Sequence, residues 1–315
     1  MSEKPLLYLV DALPYVFRAF FAIRDMTSPQ GHPVAAVYGF ASFLIQLIRH
    51  EPLTHIAVAF DESLTTSFRN EVFPPYKAKR ELPPPDLERQ LSYCQAVART
   101  LGMPVFSDQR YEADDLIGTL AHQAAAQGMD SVVVSNDKDL MQLVTPQVMF
   151  YDFARERRYD AAGVRAQMGV LPEQIPDLLG LQGDAVDNIP GVKGVGAKTA
   201  LALLQTFPTL EALYADLDRV ETLPVRGAKS LRRKLDAGRN DALMSKQLAT
   251  IARDAPAVYD ADALAYHGAI ESAVKLLWDE LGFQRLRQRI PKWRIAAWST
   301  AVPGPSCRRE CGSVG

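Results

Sequence analysis

The stretch Tyr111-Glu112-Ala113-Asp114-Asp115-Leu116-Ile117-Gly118 places three carboxylates within four residues, directly ahead of an apolar helical run. Glu112 and Asp115 are three apart and share a helix face, and Ala113 is small enough to let a ligand come close. A single acid here would be explained by the positive end of the helix. Three acids repel one another, and a divalent cation would remove that repulsion.

Other acids fit the same idea. Residues 6–10 read as a short buried strand that stops at Asp11, and residues 56–60 as a second that stops at Asp61. Residues 131–135 form a third, followed by Asn136-Asp137-Lys138-Asp139, and Gly183-Asp184-Ala185-Val186-Asp187-Asn188 opens a glycine-rich loop. A lone Asp after a strand is a turn residue or a cap. Repeated, the pattern puts carboxylates along one edge of a sheet, and the carboxyl edge of an open α/β sheet is where ligands bind. Oxygen ligands alone select Mg²⁺ or Mn²⁺ over zinc.

Two basic regions accompany the acids. Residues 62–86 carry Arg69, Tyr76, Lys77, Lys79 and Arg80 between five prolines and lack an apolar stripe, as a functional excursion would. Tyr76 next to Lys77 and Arg80 suits stacking on a base beside phosphates. Residues 191–199 (GVKGVGAKT) invite comparison with a P-loop, but Ala197 separates the last glycine from Lys198 and no strand leads in. They read better as a glycine hairpin between two helices. The free N–H groups around Gly191, Gly194 and Gly196, with Lys193, Lys198 and Thr199, would hold a nucleic-acid phosphate. Arg226, Lys229, Arg232 and Arg233 follow in the most basic run of the chain and extend that surface.

The elements needed to position these groups are legible. Pro14 and residues 15–21 start a helix, 34–50 is apolar on nearly all sides and reads as a buried helix, and 87–101 is amphipathic up to Gly102. Short strands alternate with helices to about residue 148, which predicts a mostly parallel sheet wrapped by helices. Beyond residue 171 the pattern is helical. Residues 269–290 form a last amphipathic segment with Leu276, Leu277, Trp278, Leu281 and Phe283 facing the core, and the tail to Gly315 has no packing pattern and is expected to be disordered. The resulting division is an α/β unit over 1–170, a helical unit over 171–290 and a tail over 291–315.

Bulk composition narrows the function. With 315 residues, 48% apolar and 23% charged, the chain can build a sizeable core. Its net charge of −2 gives no global sign of a nucleic-acid or membrane partner, although acids and basic patches cancel in that sum. Cys94, Cys307 and Cys311 support neither a disulfide framework nor a zinc site, which suits a reducing cytosol. Asp11, Pro14, Arg18 and Arg24 break up the apolar N-terminus, so no signal peptide or membrane span is expected.

Taken in order, Val10-Asp11, Ala59-Phe60-Asp61, Glu112-Ala113-Asp114-Asp115, Asp137-Lys138-Asp139-Leu140 and the run from Gly183 to Gly191 resemble the acidic motifs of the 5′ nuclease (flap endonuclease) family. The nearest likeness is to the 5′-3′ exonuclease domain of bacterial DNA polymerase I. It covers about residues 6–287, and with no polymerase sequence following, a free-standing nuclease is expected.

The resemblance implies a PIN-like α/β fold with a central, mainly parallel sheet. It also implies a helical arch, here assigned to 62–86, and a helix-three-turn-helix unit that grips duplex DNA through a potassium ion. It makes Asp11, Asp61, Glu112, Asp114, Asp115, Asp137, Asp139, Asp184 and Asp187 the ligands of two Mg²⁺ or Mn²⁺ ions. Lys77 and Arg80 become the catalytic cations, and Arg18 and Tyr76 meet the 5′ end. The implied substrate is DNA with 5′ ends or flaps, cut by a monomer in the cytoplasm beside the nucleoid, in functional partnership with a polymerase during replication and repair. Ala12-Leu13-Pro14 and Asn136 depart from the family pattern. The rival readings are an RNA-cutting nuclease on a related sheet and an inactive binder of flap or duplex DNA.

Overall fold

The computed structural model describes residues 5–62, 66–80, 83–224 and 227–294. Six strands form one sheet: β1 (Leu6–Asp11), β2 (His55–Asp61), β3 (Val105–Asp108), β4 (Asp130–Val134), β5 (Val148–Asp152) and β6 (Arg157–Tyr159). Their order is β3-β2-β1-β4-β5-β6, with β1 to β5 parallel and β6 antiparallel at the edge. The order reverses beside β1, between crossovers that run to opposite sides, and this switch point opens a crevice at the carboxyl ends of β1 and β4.

The helices of the first half are α1 (Leu13–Ala22), α2 (Ala35–His50), the single turn α3 (Arg69–Val72), α4 (Pro85–Thr100) and α5 (Ala113–Ala126). The second half is helical: α6 (Ala161–Met168), α7 (Ile175–Gln182), α8 (Ala197–Thr206), α9 (Leu210–Ala215), α10 (Ala228–Ala237), α11 (Arg239–Ala249), α12 (Ala261–Leu264), α13 (Glu271–Leu281) and α14 (Gln284–Arg287).

Both sheet faces are covered, which is why the strands read as unbroken apolar runs. Leu7, Leu9, Ala57, Ala59 and Val133 pack with α5 and the helical second half, whereas Tyr8, Val10, Val58, Phe60 and Val134 pack with α1, α2, α4 and α13. The alternation is the period of two of a strand. It puts Asp11 on the α5 side with Leu7 and Leu9. Ala59 is in register with Asp11, so Asp61 lies one pleat further on that same face.

Three differences from the sequence reading follow from long-range packing. The sheet continues past residue 148 into β5 and β6. The latter is a three-residue edge strand, Arg157-Arg158-Tyr159, too short and charged to show a strand pattern. Residues 269–290 are not one stripe: α13 ends at Gly282, whose φ is +78°, and Leu276 is 79% exposed while Trp278 is fully buried. Trp278 donates to Thr100 Oγ1 at 3.1 Å, so this segment, grouped with the helical unit in the sequence, packs on the sheet half. Residues 291–294 of the expected tail are ordered, since Ala269 donates to the Lys292 carbonyl and Arg294 to that of Ala269. Residues 295–315, with Cys307 and Cys311, lie outside the described residues. The segment 62–86, where it is described, holds α3, successive turns through Lys79 and the first two residues of α4, and its turns reach the acids through Lys77 and Arg80.

Candidate active site

The carboxyl ends of β1, β2 and β4 meet the N-terminus of α5. Asp11 ends β1 and accepts a 2.7 Å bond from Ser135 Oγ, which in turn accepts from the Asp137 N–H at 3.0 Å. Asp61 accepts from the Ala113 N–H at 2.6 Å, fixing β2 to the first turn of α5. Asp137 accepts from the Asp139 N–H at 2.9 Å. A cleft of about 240 Å³ results, lined by Asp11, Asp61, Glu112, Asp114, Asp137, Asp139 and Asp187, with Leu13, Pro14, Phe17 and Ile251 among its apolar walls.

Pressing these acids together raises their proton affinity. Burial, then the charges of Asp61 and Asp137, push Asp11 up to about 8 even though Ser135 stabilises the anion. Burial likewise raises Asp139 to about 7, helped by Asp137 and Asp184, and Asp61 to about 6. Asp114 is held well above the carboxylate range by burial and by Asp137, Asp11 and Asp61. Glu112 goes the other way: burial opposes its charge, but Lys77 and Arg69 outweigh that and lower it.

The cations come from the segment that covers the cleft. Lys77 Nζ lies 2.7 Å from Glu112 Oε2, and Arg80 Nε donates to Asp187 at 3.0 Å. Lys77 has φ +56° and its N–H donates to the Asp187 carbonyl, while Asn188 Nδ2 donates to the Pro75 carbonyl at 2.7 Å. The loop before Gly191 and the turn around Lys77 are thereby held together. All the ligands offered are carboxylate oxygens, a donor set for Mg²⁺ or Mn²⁺. With two of the acids held by Lys77 and Arg80, no three of them close around one ion-sized point among the described residues.

Five of the predicted site residues are placed differently. Asp115 is fully buried, pairs with Arg69 through both oxygens at 2.8 Å and caps the Glu112 N–H, so it has no lone pair directed at the cleft. Tyr76 is 4% exposed with its hydroxyl directed at Glu112 and Asp187, at 3.3 and 3.4 Å, so its ring cannot stack on a base. Arg18 is absent from the lining of the acid cleft, to which α1 contributes Leu13, Pro14 and Phe17, and it lines a separate cavity with Tyr15, Phe43 and Phe153. Asp184 stands beside Asp139 but outside the lining, and its carboxylate caps the Val186 N–H at 2.8 Å. Gly191 is buried, donates to Ser245 Oγ at 3.0 Å and abuts Gly183, so it serves packing and presents no surface.

The rest of the hairpin faces outward. Gly194, Lys198 and Thr199 line a hollow of about 330 Å³ with Gly227, Ser230 and Lys234 of the α10 end. Beside Leu231 its side chains are two lysines and two hydroxyls, a polar set that fits a phosphate; for a potassium ion it offers hydroxyls and no carboxylate. Gly196 caps α8, and Lys193, Lys229 and Arg233 are exposed nearby. Arg232 is held by Asp218 at 2.9 Å. Arg226 lies outside the described residues.

Sequence reasoning missed Ser135, Asn188 and the buried role of Arg69. Ser135 carried a signal, as the strand-end residue next in line to Asp11. The other two carried none, because their partners are 113 and 46 residues away.

This pairing of an acid-edged parallel sheet with a helical hairpin unit is matched along the chain by two adjoining family profiles. One is described as the 5′-3′ exonuclease N-terminal resolvase-like domain, over residues 6–169, and the other as the 5′-3′ exonuclease C-terminal SAM fold, over 170–272. The chain belongs to the 5′-3′ exonuclease family. It is 44% identical over 285 residues to DNA polymerase I of Pseudomonas aeruginosa, covering 90% of this chain and 31% of that protein. To DNA polymerase I of Bacillus caldotenax it is 40% identical over 292 residues, covering 91% and 32%. The chain thus spans about a third of the length of these relatives. Among solved structures it resembles T5 5′-exonuclease with bound divalent metal ions (zinc), at a TM-score of 0.65 and 22% identity, over 88% of this chain and 99% of that one. It also resembles the catalytic core of Rad2 in complex with DNA substrate, at 0.58 and 17%, over 91% of each.

Proposed function

We propose that this chain hydrolyses DNA phosphodiesters at 5′ ends and 5′ flaps, using two Mg²⁺ or Mn²⁺ ions, in the removal of displaced strands during replication and repair. The observation that carries the reading is the gathering of seven carboxylates from the ends of β1 and β2, the turn after β4, the start of α5 and the 183–188 loop in one cleft, with Lys77 and Arg80 also lining it. Asp11, Asp61, Glu112, Asp114, Asp137 and Asp139 would hold the ions, with Asp187 on the far wall. Bound there, such ions supply charge neutralisation at the phosphate and a more acidic attacking water.

The protein's own part is orientation. Ser135 and the Ala113 N–H fix the directions of Asp11 and Asp61. Lys77 and Arg80, now engaged with Glu112 and Asp187, are placed to exchange those partners for a phosphate and to offset the charge that builds on it. The hollow at Lys198 and Lys234 would grip the duplex backbone without reading sequence. A potassium ion at the hairpin belongs to the same proposal.

The test is cleavage of a 5′-labelled flap duplex with Mg²⁺ and with EDTA, beside Asp137→Ala. The expected outcome is metal-dependent cutting near the junction and a loss of at least about a hundredfold in the variant. Release of mononucleotides alone would keep the site and make the enzyme chiefly an exonuclease. Tight binding without cutting in any divalent metal would refute the hydrolytic reading, and preferential digestion of single-stranded RNA would reassign the substrate.

A further inference from the structure

Arg69 occupies a position that the acid cleft alone does not explain. It is 3% exposed, and its guanidinium grips Asp115 with two contacts of 2.8 Å. Nε donates to the Leu248 carbonyl at 2.7 Å, and Nη2 also to the Thr250 carbonyl at 3.1 Å. Nη1 faces Glu112 Oε2 at 3.7 Å. One side chain therefore ties α3 to the first turn of α5 and to the end of α11. That last helix in turn holds the start of the glycine hairpin, through Ser245 and the Gly191 N–H. The planar fork of a guanidinium serves these acceptors in fixed directions, and an ammonium cannot.

The next residue carries the connection into the cleft. Asn70 Oδ1 accepts from the Ser67 N–H at 2.8 Å, and its Nδ2 donates to the Tyr76 carbonyl at 2.8 Å. The turn so fastened is the one that carries Lys77 to Glu112 and Arg80 to Asp187. Lys77 adopts a left-handed backbone there, a conformation that persists in a non-glycine residue when its surroundings hold it.

We propose that Arg69, acting through Asn70, is a positioning residue. It locks the cation-bearing turn over the acid cleft and keeps that turn in register with α11 and the hairpin, so that duplex held at the hairpin meets Lys77 and Arg80 in place. The inference rests on the hydrolytic reading above.

Arg69→Lys keeps a positive charge beside Asp115 and loses the fork. Three measurements are compared with wild type: the melting temperature, the affinity for a flap duplex in EDTA, and the single-turnover cleavage rate at saturating Mg²⁺. The expected result is affinity within about threefold of wild type and a rate lower by about fifty- to a hundredfold, as for a reacting group displaced by about an ångström. A rate of the folded enzyme within about threefold of wild type, or a loss confined to affinity, would overturn the inference.

Asn70→Ala is the second arm, because among the described residues Asn70 makes no hydrogen bond to the acids, and its side chain takes no part in the Arg69–Asp115 pair. About tenfold slower cleavage with unchanged binding is expected, and an unchanged rate counts against the inference even if Arg69→Lys fails to fold. A wild-type protein that binds the flap but never cuts would remove the hydrolytic reading itself, and the inference with it.

Discussion

Around the cleft at the sheet edge, carboxylates are pressed together, with Asp11 and Glu112 withdrawn from water and Asp137 exposed. Around the hollow beside the hairpin, lysines, hydroxyls and a helix N-terminus stand in solvent. The first arrangement is costly until positive charge arrives, which is why Asp11, Asp114 and Asp139 favour their protons and why Lys77 and Arg80 lie across the opening. The second carries no such cost and gains from displacing counterions when a phosphate backbone approaches. On the function proposed above, chemistry and grip are separated, with the acid cleft for metal and the hollow for DNA, and each should fail in its own way.

The largest effect expected from pulling them apart is at Asp114. Asp114→Asn should lower the cleavage rate at least about a hundredfold. In EDTA it should raise the melting temperature near neutral pH, because the folded state no longer carries an acid whose proton affinity burial and neighbouring carboxylates raise above that of the unfolded chain. Binding of flap DNA in EDTA should not weaken; a clear loss of affinity would show that the two regions are not separable.

Second is the converse change, Lys198→Ala with Lys229→Ala. Affinity should drop about tenfold near physiological salt, and the slope of log affinity against log salt should become shallower by about 0.9 per lysine, with the saturated rate little altered. An unchanged salt slope would place the duplex elsewhere.

Third is the pH dependence without metal. Asp61, Asp139 and Asp11 titrate at about 6, 7 and 8 in the folded protein against 3.8 in the unfolded chain. The folded state therefore binds more protons across that window, and stability falls as pH rises through it. In EDTA the melting temperature should decrease by several degrees between about pH 5.5 and about pH 8.5, and Mg²⁺ at the upper pH should recover most of the loss. A flat profile would mean that Lys77 and Arg80 already neutralise the cleft. The smallest effect is expected at Leu276→Lys, within about 0.5 kcal/mol of wild type, since that side chain is 79% exposed.

Much of the fold was legible because its signals are local. The apolar runs ending at Asp11 and Asp61, the helix after Glu112 and the turn at Gly102 depend on neighbours within a few residues. β6 was not legible, since three edge residues with two arginines show no period. Leu276 was misread for a related reason: it is apolar and sits two residues from the buried Trp278, and an apolar side chain on a surface helix does not announce its direction. Tyr76 was read as a stacking platform from composition alone. Its burial comes from turns fastened by Asn70 and Asn188, whose acceptors are backbone carbonyls that any sequence would offer.

The sequence by itself determined that acids collect at strand ends, that a basic segment and a glycine hairpin accompany them, and that the strands are buried on both faces. Each of these is set by residue type and short spacing. Tertiary structure decided what each acid does. Asp114 and Asp115 are adjacent in the chain, yet a helix turns about 100° per residue, so one faces the cleft and the other faces Arg69. Which of the two meets its own kind and which meets a guanidinium depends on where a residue 46 positions earlier comes to rest. Contacts of that range are set by packing of the whole domain, and no local pattern carries them.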